Sequence, residues 1–405
     1  MVFACQNDSF LKQFDSTVVS CKEKQLKTVT DGKKVTLNGY DVILNDTILF
    51  PEGGGQPCDH GFINDRRIEN VRREGATAVH FSESPFKEGE RVSVVIDWKR
   101  RFDHMQQHSG QHLITAVADK EYGYSTTSWW LGKEISHIEL DTPSIKNEEI
   151  QQLEEIVNEY IRNSTPVTVN TYGEQNPIPK EVRTRGLPDD HVGDVRVVTI
   201  EGLENNMCCG THVTNLSQLQ VIKLVRAEKG KKGKVNLEFL VGGRVMRQMA
   251  TMYNREQSLS NLLKNSPAGH VEQVDKLQKS LKAANKNLQT VLKDLAACTA
   301  RELLSQSPRP KYYCLHRKEA DSDFMSIFIN EVNCPEILLL LTIGDEMGAG
   351  QLVFHGTPEI VSHLGPQICE VLEGKGAGKG QKYQAKVKSL NHRSKAIELI
   401  EKYFE

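Results

Sequence analysis

Two histidines stand four residues apart in HSGQH (108–112), and about a hundred residues later a cysteine and a histidine stand at the same spacing in CCGTH (208–212). Positions i and i+4 of a helix share a face, so His108 and His112 are spaced to grip one ion. Cys208 and His212 add soft and borderline donors suited to Zn²⁺. Four eligible ligands in two matched pairs require a fold in which distant stretches of chain converge. Spacing leaves two alternatives open: His104 lies four residues before His108, so HMQQH is as eligible as HSGQH, and Cys209 rivals Cys208.

The chain around these fragments has 405 residues, more than one ordinary core accommodates, and two or three domains are expected. Its longest apolar runs, such as EILLLLTIG (336–344), fall far short of the roughly 20 residues that span a bilayer. The opening MVFACQNDSF has no basic stretch followed by an apolar one, so neither secretion nor a membrane is expected. Nine scattered cysteines, an odd number, fit free thiols or metal ligands in a reducing compartment, and a cytoplasmic address follows. A net charge of −2 gives no global attraction for a polyanion and leaves only local basic stretches to do so.

Residues 1–97 alternate short apolar runs with turn signals and predict a β-barrel-like or sheet domain. After Trp98 the period becomes helical, with Asp103 the expected N-cap, and a second helix is predicted within TPSIKNEEIQQLEEIVNEYIRNSTP behind Ser144. VRVVTI (195–200), LQVIKLVRA and KVNLEFLVGG read as strands, the last two joined by the turn EKGKKG, so 98–243 is an expected α+β domain. Across 244–305 the composition turns to Ala, Lys, Leu and Gln, and Val274, Leu277, Leu281, Ala284, Leu288, Val291, Leu295 and Cys298 recur at steps of three and four, the seam of a coiled coil. In 306–405, YYCLHR, FMSIFINEV and EILLLLTIG read as strands and PEIVSHLGPQICEVLEG and SLNHRSKAIELIEKYF as helices, a small α/β domain. The fold class expected is therefore α+β, in four segments.

HSGQHLI, CCGTHV, PEGGGQPCDHG and TTSWWLG together resemble the editing domain of alanyl-tRNA synthetase and, more closely, its free-standing relatives, the long-form alanyl-tRNA editing (AlaX) proteins. The motifs span about 45–243, and the C-terminal segments resemble the same synthetase more weakly. The resemblance implies one Zn²⁺ per chain and hydrolysis of serine, with glycine a second candidate, from mischarged alanine tRNA. It also selects the register: His108, His112, Cys208 and His212 match the ligands. Two positions depart from the pattern. Cys209 replaces a common glycine, and Ser128 falls near where the synthetase often has glutamine.

An aminoacyl ester is already activated, so the protein must mainly select it, orient water and stabilise the oxyanion. Gly54 and Gly55 suit a loop that passes close to a substrate, and Gln56 both donates and accepts hydrogen bonds, although a plain hairpin turn explains GGGQP equally well. Thr127 and Ser128 are candidates, with Gln56, for handling water, and Thr126 for the serine hydroxyl that alanine lacks. Surface threonines are the blander alternative. Lys375 and Lys379 open a run through Lys395 that has no acidic residue and could neutralise tRNA phosphates. HSGQH has no glutamate after its first histidine, which excludes the metalloprotease pattern, and GKGAGKG lacks P-loop spacing. Fewer than a hundred N-terminal residues cannot supply an aminoacylation domain, so a trans-acting hydrolase, expected as a monomer, competes with a non-catalytic tRNA-binding scaffold.

Overall fold

The structure is a computed structural model that describes residues 2–30, 33–173, 176–179, 182–184 and 194–405. It divides into two compact units, Met1–Gln257 and Ser258–Glu405.

The first unit begins with the short helix α1 (Ala4–Asn7), followed by strands β1 (Gln13–Thr30), β2 (Lys33–Leu44), β3 (Gly61–Ile63), β4 (Arg66–Ile68), β5 (Asn70–Glu74), β6 (Thr77–Ser82) and β7 (Arg91–Ile96). These seven form one antiparallel sheet ordered β4-β3-β7-β1-β2-β6-β5. Alternation along β7 buries Val92, Val94 and Ile96, and these pack with Val42, Ile48, Leu49 and Phe50 in the sheet's core. Among the described residues no ladder joins the edge strands β4 and β5.

Helix α2 (Trp98–Tyr122) follows at once. It starts six residues before the position expected from the sequence: Asp97 is the N-cap and accepts the Arg100 N–H, while Asp103 instead pairs with Arg244 and Arg247. Every residue from His104 to Ala118 is buried. Around it lie β8 (Thr126–Trp130), β9 (Ser136–Leu140), α3 (Asn147–Arg162), β10 (Val167–Tyr172), β11 (Val195–Ile200), β12 (Glu204–Met207), β13 (Ile222–Lys229) and β14 (Val235–Val241). Two antiparallel sheets result, β13-β14-β9-β8 and β10-β11-β12. Helix α3 starts after Lys146, not Ser144, with the Glu149 carboxylate accepting the Lys146 N–H, and it buries the expected Leu153, Val157 and Ile161.

Backbone groups hold two of the buried glutamines of α2, Gln106 and Gln107. Gln107 donates to the Val241 carbonyl and accepts the Val241 N–H, at 3.0 and 3.1 Å, and so continues the β14 edge into the helix. Gly110 gives the close approach: a Cβ there would lie 2.5 Å from Val241 Cγ2. Arg101 is fully buried against the equally buried Asp59 and also donates to the carbonyls of Ser9 and Ile48. That pair anchors α2 to the chain just after the glycine-rich loop.

Helix α4 (Gly243–Leu263) crosses the boundary between units. The second unit holds α5 (His270–Ser305), β15 (Tyr312–Arg317), α6 (Ser322–Val332), β16 (Leu338–Gly344), β17 (Gly350–His355), α7 (Pro358–Val371), β18 (Gly374–Lys379), β19 (Lys382–Val387) and α8 (Arg393–Phe404). Its sheet is ordered β15-β16-β17-β19-β18, parallel only between β15 and β16. FMSIFINEV, expected as a strand, is helix α6. Asp321 caps its N-terminus through Phe324 N–H, and Phe324, Met325, Phe328, Ile329 and Val332 give one buried face of period 3.6. GKGAGKG extends as edge strand β18. The heptad segment is helical, but Val274, Leu277, Leu281, Leu288 and Val291 are exposed, and burial in α5 begins at Ala296. Among the described residues no helix is long and apolar enough to cross a membrane.

Candidate metal centre

Helix α2 presents His108 and His112 on successive turns, and the loop leaving β12 brings Cys208 and His212 opposite them. One donor atom from each of the four lies within 4.8 Å of the other three. Nε2 of His108 and of His212 stand 3.4 and 3.2 Å from Cys208 Sγ. The convergence demanded by the two fragments is thus met. His104, the rival by spacing, is buried outside the group, and burial pushes its pKa down to about 3. Cys209 is also outside it.

Gln56 sets the tautomer of His108. The Thr211 backbone N–H, which can only donate, lies 3.0 Å from Oε1 of Gln56, and Nε2 of Gln56 donates to Thr211 Oγ1 at 2.8 Å. Nδ1 of His108 lies 2.8 Å from that same oxygen and must therefore carry its proton, which leaves the Nε2 lone pair facing Cys208. Ser109 holds His212 in place from behind: its Oγ accepts the Val213 N–H and lies 3.0 Å from Nδ1, a contact that either atom can donate. Glu204 stands 3.9 Å from Nδ1 of His112, with its other oxygen on Arg183.

Burial, and then neighbouring imidazoles, hold His108 and His212 well below the usual histidine pKa, so both stay neutral, the form that ligates. Burial pushes the Cys208 thiol up to about 12, with Cys209 adding to it. Such a thiol ionises only beside a positive charge, which a divalent cation supplies. Two neutral imidazoles, that of His108 with its lone pair facing the group, a third imidazole and a thiol make a donor set that fits Zn²⁺.

A cavity of about 830 Å³ opens onto the group. His108, His112 and Cys208 line it, whereas His212, 2% exposed, closes the group from behind. Gly54 and Gly55 form one wall at φ +56° and +80°, and Cβ atoms there would come within 2.8 Å of Cys209 Sγ and 2.6 Å of the Trp129 ring. The Trp129 ring also stacks at a tilt on His108, with centroids 4.9 Å apart. Thr126 lines the cavity and continues a buried polar chain, Gln111 to Thr115 to Thr126, at 2.8 and 2.9 Å. Ser128 lines it as well. Thr127 does not: the bulge in β8 turns it outwards onto Glu139. Lys375 and Lys379 are exposed residues of β18 in the second unit.

Sequence reading passed over Ser109, Glu204 and Arg196. The last had a signal, an arginine in the otherwise apolar VRVVTI; Ser109 sat unremarked between the two ligand histidines.

The family model described as "Threonyl and Alanyl tRNA synthetase second additional domain" matches residues 195–236, and that for "tRNA synthetases class II (A)" matches 7–100. The chain is 51% identical over 402 residues to alanyl-tRNA editing protein Aarsd1-B of Xenopus laevis, covering 99% of this chain and 98% of the relative. It is 52% identical over 404 residues to Aarsd1 of Mus musculus, covering 100% and 98%. Alanyl-tRNA editing protein AlaX-L of Pyrococcus horikoshii is 26% identical, covering 92% and 91%.

Proposed function

Since this chain belongs to the alanyl-tRNA editing proteins, we propose that it is a trans-acting, zinc-dependent hydrolase that removes serine, and glycine as a second substrate, from mischarged alanine tRNA. The observation that carries this reading is the quartet His108, His112, Cys208 and His212 set in the wall of a cavity large enough for an aminoacylated adenosine. In it, three ligands face the cavity and one lies behind, which favours an ion open to substrate over one that only staples two segments. When bound, Zn²⁺ supplies Lewis-acid polarisation and lowers the pKa of coordinated water.

The chain's own residues do the rest. Gln56 and Ser109 orient imidazoles, so the role for Gln56 is positioning, in place of the water handling expected of it. Gly54 and Gly55 let backbone approach the substrate. The chain Gln111–Thr115–Thr126, with Ser128 beside it, gives the cavity a polar wall that a serine hydroxyl can join and an alanine methyl cannot, which favours the seryl ester. Thr127, turned out of the cavity, takes no part. Lys375 and Lys379, on an edge strand bare of bulky side chains, contact tRNA phosphates. We also propose that 98–243 is the editing segment and that the protein acts as a monomer in the cytoplasm, consistent with nine free cysteines.

Deacylation of seryl- and alanyl-charged alanine tRNA by the wild type, His108→Ala and Cys208→Ala, with zinc content measured on each, tests this. We expect one zinc per chain, preference for the seryl ester, and loss of both metal and hydrolysis in the variants. Loss of metal with unchanged hydrolysis removes zinc chemistry, and a zinc-loaded wild type that hydrolyses neither ester leaves a tRNA-binding scaffold.

A further inference from the structure

Three arginines of the first unit are buried among the described residues: Arg101 at 0% exposure, Arg244 at 3% and Arg196 at 5%. Two of them form a matched pair of controls. Arg101 forks onto the Asp59 carboxylate and fills its remaining donors with the carbonyls of Ser9 and Ile48. Arg244 forks onto the Asp103 carboxylate and fills its own with the carbonyls of Leu131 and Gly132 and with Ser136 Oγ. This is what a structural buried guanidinium requires, because an unpaired buried charge is costly.

Arg196 departs from the pattern. Its Nη1 donates to the carbonyls of Cys208 and Gly210, at 3.0 and 2.8 Å, which ties it to the ligand loop itself. Among the described residues its Nε and Nη2 have no hydrogen-bond partner and no carboxylate pairs with it. Arg196 is one of the residues that line the cavity, with its Nε and Nη2 buried. It is close enough to act electrostatically on His108, His212 and Cys208, and desolvation lowers its own pKa. A cation this close to a metal centre is repelled by the ion and by a substrate's α-ammonium alike. Only negative charge on oxygen or sulfur gains from it.

We propose that Arg196 directs its unfilled Nε–H and Nη2–H donors at the acyl oxygen of the aminoacyl ester, and so stabilises the oxyanion formed during deacylation. The proposal rests on the deacylase reading above. In the step, a water oxygen bonds to the acyl carbon and the carbonyl electron pair moves onto oxygen, where the guanidinium meets it. Collapse restores the carbonyl and breaks the bond from acyl carbon to ribose oxygen. One proton of the water goes to that ribose oxygen and the other is released, giving a free tRNA 3′ end and an amino-acid carboxylate. The guanidinium is rigid and already desolvated, so it has no water shell to shed as charge develops, which is where such donors are most effective. Its positive charge also turns the α-ammonium away, leaving the acyl oxygen as the end of the ester that faces it.

Arg196→Met and Arg196→Lys test this, with three readouts: zinc per chain, affinity for an amide-linked, non-hydrolysable seryl-tRNA(Ala), and single-turnover deacylation of seryl-tRNA(Ala). The expected result is retained zinc and affinity within about threefold of wild type, with the single-turnover rate down about 10²–10³-fold in Arg196→Met and less in Arg196→Lys. Zinc loss in both variants would assign the guanidinium to holding the Cys208–Gly210 loop and overturn the proposal. So would weakened analogue binding at an unchanged rate, the behaviour of an RNA-phosphate anchor. Variants equal to an active wild type remove this inference alone; an inactive wild type removes it together with the reading beneath it.

Discussion

Helices α2 and α5 invert the usual relation between pattern and burial. α5 carries the cleaner heptad seam, yet Leu281 is 63% exposed and its neighbours along the seam are exposed with it. α2 reads HMQQHSGQH through its middle, with hardly an apolar residue, and every one of those side chains is buried. The difference lies in what each helix is matched to. The buried amides of α2 meet particular polar groups, as Gln107 meets Val241, Gln106 meets the Gln218 carbonyl and the Gly243 N–H, and Gln111 meets Thr115 Oγ1, so their burial is satisfied by hydrogen bonds and not by apolar area. Polar residues that survive burial in this way are the ones that can hold an ion. Apolar periodicity in α5 specifies a face without specifying what covers it.

All three tryptophans, 98, 129 and 130, lie in the first unit, so tryptophan fluorescence during denaturant unfolding follows the unit built on α2 alone. The largest effect is expected for Asp59→Ala, which strands Arg101 as an uncompensated buried charge; about 3–5 kcal/mol of stability should be lost. A loss below about 1 kcal/mol would mean that the anchor of α2 is dispensable. Next comes acid. His80 is fully buried between Thr47 Oγ1 and the Val42 carbonyl, and burial lowers its pKa from 6.5 to about 4. The unfolded chain therefore takes up the proton first, so this contribution is complete above pH 6.5 and falls away as pH drops towards 4. Its full size is about 3 kcal/mol. Stability measured across that window should decline less steeply in His80→Gln than in the wild type, and equal slopes would rule the histidine out.

Gly110→Ala follows, since its Cβ has nowhere to go but into Val241. Overpacking exceeds the roughly 1 kcal/mol that alanine gains within a helix, for a net loss of about 1–2 kcal/mol. A stabilised variant would show that α2 and β14 can part. The smallest effect is reserved for α5: Leu281→Lys should change the stability of the second unit by no more than about 0.5 kcal/mol, read by circular dichroism at the helical band. A larger loss would reveal a covering that the seam does have, and would dissolve the contrast with α2.

The same contrast explains which parts of the molecule could be read from sequence. His108 and His112 were legible as a pair because i, i+4 spacing is a property of a helix whatever surrounds it, whereas Cys208 and His212 share that spacing in a loop and only the motif CCGTH marked them; α3 was legible because Leu153, Val157 and Ile161 do face a core. The start of α2 was misread because its true cap, Asp97, belongs to the end of a strand, while Asp103 sits where a helical apolar pattern seems to begin and is used elsewhere, against Arg244. FMSIFINEV was misread because so short a segment, six of its nine residues apolar, suits either period, and the deciding residue, Asp321, lies outside it. Gln56 was noticed for its versatility, but its actual partners, His108 and Thr211, are 52 and 155 residues away, and no local pattern encodes such a meeting.

The bonds from Gln107 to Val241 and from Asp103 to Arg244 span more than 130 residues. On a ribosome, the helix holding the first two histidines is therefore translated well before the groups that complete its polar faces. A nascent chain halted near residue 212 would own all four donors yet lack the strand that seats α2. Any fragment intended to capture metal should run past Arg247, so that metal uptake comes late in the maturation of the first unit and depends on the chain beyond its last ligand.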